Sequence, residues 1–246
     1  MSRTFEELVR TDTPLGEIVL RRRLEPISQR DIHEVLLAGD GLMSSLFTRG
    51  EEQLAELGLA AVAAVAATTS DTIDVVVGGL GLGYTARTVL QDERVRTLHV
   101  IDALDVVIDW HRRHLVPVGA ELTGDPRCTL AHGDFFALVD QDPPMFRTGE
   151  PARFDAILAD IDHSPRHLLE PGHATLYTTT GLRRLGRHLR PHGVFALWSN
   201  DPPDDDFVAG LHACFARADA HVVSFWNFLV DDHTRSTIYV ASDPLP

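Results

Sequence analysis

Asp74-Val75-Val76-Val77-Gly78-Gly79-Leu80-Gly81-Leu82-Gly83-Tyr84-Thr85 is the stretch whose reading decides the fold. The apolar, β-branched run at 73–77, broken only by Asp74, predicts a buried strand. It flows into glycines at 78, 79, 81 and 83, and then into a predicted helix over 84–90. Glycine suits such a strand-to-helix turn because it tolerates positive φ and lets backbone N–H groups approach a ligand without a Cβ in the way. Alone, the turn fits a tight corner as well as a nucleotide cradle, and the strands downstream of it decide between the two.

Residues 97–102 form a second predicted strand ending in Asp102. That acid lies about 20 residues past the glycine turn, where open α/β sheets present a carboxylate to ribose hydroxyls. The plainer reading is a cap for the helix expected over 106–114. A third strand begins at Cys128 and delivers Asp134, a candidate partner for the exocyclic amine of an adenine, with Phe135 or a neighbour against the ring; alone, Asp134 reads as a turn residue. A fourth, from Phe154, delivers Asp160, Asp162 and His163 into a loop that ends at Pro165. Strand carboxyl ends are where such sheets place ligands. Residues 177–190 predict a cationic helix with Arg183, Arg184, Arg187 and Arg190 on its polar side. A fifth strand at 194–199, an exposed acidic loop at 201–206, a helix at 207–217 and strands at 222–229 and 237–241 complete the chain.

Ahead of the glycine turn, residues 16–24 predict a strand whose Arg21–Arg23 cluster marks a solvated edge. Residues 35–44 predict a hairpin turning at Gly39-Asp40-Gly41, 51–67 a helix, and 68–71 the turn into the central strand. Residues 141–151 read as a surface loop. Strand and helix alternate from 71 to about 200, which specifies a parallel sheet covered on both faces. The expected architecture is α/β: a Rossmann-like, seven-stranded, mostly parallel sheet of the class I methyltransferase kind over 51–246, with a short N-terminal β element over 1–50.

The chain has 246 residues, 44% hydrophobic and 24% charged, with a net charge of −14 from 22 basic and 36 acidic side chains. That balance argues against a nucleic-acid backbone as partner, and fits either a cationic substrate or simple solubility. Cys128 and Cys214 lie far apart in no metal-ligand spacing, which points to a reducing, cytoplasmic setting. No signal region is expected, and the apolar run at 57–67 is too short and alanine-rich to span a bilayer. His163 and His167 have helical ligand spacing, but among 13 histidines such pairs arise by chance, and no metal is expected.

In order and spacing, several motifs resemble the core of the spermidine synthases, the polyamine aminopropyltransferases. They are Gly78-Gly79-Leu80-Gly81-Leu82-Gly83, the Asp102 strand, His132-Gly133-Asp134, the strand ending at Asp160, and the run from Leu176-Tyr177 to Pro191-His192-Gly193-Val194. Gly39-Asp40-Gly41 is similar to the Leu-Asp-Gly hairpin of that family's N-terminal domain. The resemblance implies that Gly79, Gly81 and Gly83 line a nucleoside site, Asp102 holds the ribose and Asp134 contacts adenine. Asp160 then matches the acid beside the attacking amine, Asp162 assists, and His163 reads either as a base near neutral pH or as a loop residue. It further implies decarboxylated S-adenosylmethionine as co-substrate, a small-molecule amine as acceptor, and a homodimer.

The departures fall on the amine side. Gly81 stands where the family carries an aspartate for the donor's terminal amine, Gly50-Glu51-Glu52 replaces a Tyr-His-Glu segment, and Ser44 replaces the hairpin glutamine. They leave two alternatives open: a methyltransferase using S-adenosylmethionine on the same fold, and a non-catalytic nucleoside-binding protein.

Overall fold

The computed structural model describes residues 5–65, 72–141 and 153–246. The turn read at 68–71 and the loop read at 141–151, Gln141 apart, lie outside the described residues. Strand β5 (Ile73–Gly78) sits centrally in a seven-stranded sheet, paired in parallel with β6 (Val95–Asp102) and β8 (Phe154–Ala159). Strand β7 (Cys128–His132) extends the sheet beyond β6, and β9 (Leu189–Ser199) lies beyond β8, both parallel. Strand β11 (Asp232–Pro244) then inserts antiparallel between β9 and the edge strand β10 (Phe215–Asn227). The order β10-β11-β9-β8-β5-β6-β7 is the expected architecture.

The continuous apolar run of β5 follows from burial on both faces. Val75 and Val77 pack with Leu54 and Leu59 of α1 (Arg49–Val65) and with Leu98 and Val100 of β6. Val76 packs on the opposite face with Ile157, Phe195, and Leu182 and Leu185 of α6 (Thr179–Gly186). Asp74, the one interruption, is buried but not idle. It meets Arg96, accepts from Thr97 Oγ1 at 2.7 Å, and pairs at 2.6 Å with Arg190, which also bonds Asp155. The network binds β5, β6, β8 and β9 at the end of the sheet opposite the glycine turn.

Residues 5–44 form an antiparallel meander of β1 (Phe5–Thr13), β2 (Gly16–Leu24), β3 (Asp31–Leu37) and β4 (Asp40–Ser44). The arginine cluster is not at an edge: β2 is flanked by β1 and β3, and Arg21 and Arg23 both meet Glu34 while Arg22 meets Glu6. The β3–β4 turn falls at Ala38-Gly39, with φ of 51° and 90°, one residue earlier than the sequence indicates. Ile18, Leu20 and Val35 of this meander join the core face that includes α1, so its inner side closes over the carboxyl end of the large sheet.

Two predicted helices are shorter than read. α6 stops at Gly186, and Arg190 belongs to β9, where it serves the Asp74 network instead of a polar helix face. α7 (Asp205–His212) gives way at Phe215 to β10, whose pairing with β11 runs over the whole strand. The other helices are α2 (Tyr84–Leu90), α3 (Asp105–Arg112), α4 (Gly119–Gly124) and α5 (Phe135–Val139). Among the described residues no helix is long and apolar enough to cross a membrane, and no group of three His, Cys, Asp or Glu is placed to hold a metal ion.

Candidate active site

Two adjoining cavities open at the carboxyl ends of β5, β6 and β8. The larger, about 280 Å³, is lined by Gly79, Gly81, Asp102, Asp134 and Asp160, with an apolar wall from the meander. The smaller, about 80 Å³, is lined by Glu51, Gly81, Gly83, Asp160, His163 and Trp198. Gly81, Asp160, Ile161, Leu42 and Met43 line both, so the two cavities adjoin at these residues.

The glycine loop is shaped by close approach. Gly79 has φ +90°, and a Cβ there would drive into the carbonyl of Asp160. Gly81 has φ +48°, and a Cβ there would lie 2.8 Å from Met43 Sδ. Several of the loop's N–H groups are engaged within the protein. Gly79 N–H donates to Ile101 O at 2.8 Å, Leu80 N–H donates to Asp102 Oδ2 at 2.9 Å, and Gly81 N–H also reaches the Asp102 carboxylate. These amides hold the turn's own shape, and Gly79 and Gly81 border the larger cavity. Gly83 lines only the smaller cavity.

Asp102 organises this arrangement. Besides the loop it accepts Leu104 N–H at 2.8 Å, and Leu104 is itself the residue that caps α3, so Asp102 is not the helix cap. Burial pushes its carboxyl up against the pull of these donors. His111, fully buried on α3, donates from Nε2 to Gly81 O at 2.9 Å, and burial lowers it to about 4, so it stays neutral. Asp134 caps α5 through one oxygen, Oδ1, which accepts Phe136 N–H at 2.9 Å and Ala137 N–H at 3.1 Å, and its side chain also borders the larger cavity.

Asp160 stands at the junction. Thr85 Oγ1 donates to its Oδ2 at 2.7 Å, and burial pushes its carboxyl up. Across the smaller cavity lies Glu51, in the first turn of α1, whose carboxyl is raised by burial and by the Asp160 charge. Asp162 is elsewhere. It is fully buried, outside both cavities, and holds Leu169 N–H at 2.8 Å, His173 Nδ1–H at 2.8 Å and Tyr177 O–H at 2.7 Å. With those donors engaged it fixes the loop after β8, and it borders neither of the two cavities. His163 does line the smaller cavity; His167 turns away to Asp201 at 2.7 Å.

Residues without a motif complete the site. His173 stacks on Phe136 with centroids 3.6 Å apart at the rim of the larger cavity. Trp198 bounds the smaller one, and its Nε1 occupies the space of a side chain at Gly50, 2.5 Å from where a Cβ would stand. Glycine at 50 and tryptophan at 198 are thus one packing decision, made between positions that sequence spacing does not connect.

A family model described as the spermine/spermidine synthase domain matches residues 56–204. A curated relative, polyamine aminopropyltransferase 2 of Pseudomonas aeruginosa, is 28% identical over 170 residues, covering 64% of this chain and 45% of that protein, so the match spans less than half of the relative. The spermidine synthase of Thermotoga maritima superposes with a TM-score of 0.69 at 17% identity, over 96% of this chain and 72% of that one. A spermidine synthase solved with the transition-state analogue AdoDATO gives 0.70 at 19% identity, over 96% and 73%. At such identities these structures speak for the fold.

Proposed function

The chain belongs to the spermine/spermidine synthase family, and from that premise we propose that it is a transferase moving an aminopropyl group from decarboxylated S-adenosylmethionine to a small amine. The observation that carries the reading is the pair of cavities meeting at Asp160: a larger one of nucleoside character and an acidic one suited to a cation. In this reading Asp102 and the bare faces of Gly79 and Gly81 receive the ribose, and Asp134, with one oxygen used by its cap, meets the adenine edge. Asp160 orients the attacking nitrogen, with His163 beside it, and Asp162 positions the loop.

Alkyl transfer from a sulfonium needs an unprotonated nitrogen, an in-line approach and exclusion of water. Met43 and Leu42 on one side and Ile161 on the other give the junction apolar walls that serve the last requirement. The family match favours aminopropyl transfer over methyl transfer. The proposal includes residues 1–50 as the β element closing the site, 51–246 as the nucleoside-binding catalytic part, a homodimer, and a cytoplasmic setting without nucleic-acid or membrane partners.

Calorimetry with methylthioadenosine, decarboxylated S-adenosylmethionine and S-adenosylhomocysteine tests the reading. The first two are expected to bind more tightly than the third, and incubation of the decarboxylated donor with amines is expected to release methylthioadenosine. Preference for S-adenosylhomocysteine would transfer the argument to methylation, and no binding at all would end it.

A further inference from the structure

Glu51 carries a carboxylate into the smaller cavity from the start of α1, while Asp160 enters the same space from the end of β8. The charged and titratable groups around Glu51 are Asp160, Glu52 on its own helix, Tyr84 on α2 and His163 on the loop after β8. Glu52 is neutralised by Arg87 at 3.1 Å and accepts Thr48 Oγ1 at 2.9 Å, and Arg87 lies over the Tyr84 ring. Among the described residues no arginine, lysine or histidine forms an ion pair with Glu51 or Asp160. Two facing acids with no counter-cation, walled by Leu42, Met43 and Trp198, need a positive charge from outside the chain.

We propose that Glu51 is a catalytic residue of the transfer, forming with Asp160 the carboxylate pair that holds the acceptor's ammonium group and takes up its proton. The inference rests on the aminopropyl-transfer reading above and adds the residue that handles the proton. Before the amine enters, mutual repulsion keeps one proton on the pair near neutrality. The ammonium displaces that proton and is held between two carboxylates. It then gives one of its own protons to Glu51, and the freed lone pair forms the bond to the carbon attached to sulfur. The carbon–sulfur bond breaks with both electrons left on sulfur, so the sulfonium becomes a neutral thioether. The product leaves as a secondary ammonium, and the proton kept on Glu51 restores the singly protonated pair. Two cations enter; one cation and one proton leave.

The test is calorimetry of n-butylamine and 1,4-diaminobutane titrated into the full chain saturated with methylthioadenosine, in buffers of different ionisation enthalpy. The wild type is expected to release about one proton per amine bound near pH 7. Glu51→Gln is expected to release none and to lose amine affinity by about ten-fold or more, with methylthioadenosine affinity within about two-fold of the wild type. No proton release by the wild type overturns the proposal without any variant being needed. So does release retained in E51Q, or binding of neither amine. Failure of the wild type to bind methylthioadenosine is a separate outcome, and it removes the donor reading on which this proposal stands.

Discussion

Asp160→Asn leaves the shape of the junction and removes its charge, so turnover is expected to fall at least 100-fold, as about 3 kcal/mol of lost transition-state stabilisation would require. Methylthioadenosine affinity should stay within about three-fold, because the proposed reading assigns the nucleoside chiefly to Asp102 and the glycine loop. Loss of both together, measured by steady-state kinetics beside calorimetry, would move Asp160 into donor binding. Glu51 and Asp160 also predict a slope in stability. Their folded-state carboxyls are raised, so between the ordinary carboxylate range and neutrality the folded chain binds more protons than the unfolded one, and stability falls as pH rises. Glu51→Gln should flatten that slope and raise stability above neutrality by about 1–2 kcal/mol, readable in urea melts at several pH values. At this scale the acids at strand ends were legible from order and spacing. Glu51 was legible only as a departure from the family's pattern on the amine side, and Trp198 not at all, because what joins them to Asp160 is a cavity and not a motif.

Strands and their junctions carry a second group of predictions. The Asp74–Arg96–Arg190–Asp155 network ties four strands together at the end away from the cavities. Its arginines hold the Asp74 carboxyl well below the usual range, so the stability it contributes is full above the ordinary carboxylate range and lost as pH falls through the depressed value. Asp74→Ala leaves the half-exposed Arg96 without its carboxylate and Arg190 with Asp155 alone, and should cost about 1–3 kcal/mol in denaturant melts. Methylthioadenosine affinity of the folded fraction should be unchanged, which separates a structural role from a binding one. His111→Ala acts at the other end: it releases Gly81 O and opens space under Gly83, so nucleoside affinity should fall several-fold. The parallel strands were readable because double-sided burial writes continuous apolar runs. The length of α6 and α7 was not, since the residues that end them, Arg190 and Phe215, are claimed by sheet partners far away in sequence.

For the whole molecule, the meander's inner face and the sheet's carboxyl end form one enclosure, and a ligand held by both should stabilise them together. Methylthioadenosine at 100 times its dissociation constant should add about 2.7 kcal/mol to unfolding and raise the melting temperature measurably. The seven-stranded, mostly parallel sheet was legible from alternation and from the terminal strand pair; the internal place of β2 was not, because Arg21–Arg23 carries no mark of its partners. The adjacency of the two cavities at Gly81, Met43 and Asp160 has a kinetic and stereochemical corollary. Chambers that abut in this way must be filled at the same time for a carbon to pass between them. Double-reciprocal plots for the two reactants should therefore intersect instead of running parallel, and a donor made chiral with deuterium at the migrating methylene should yield a product of inverted configuration.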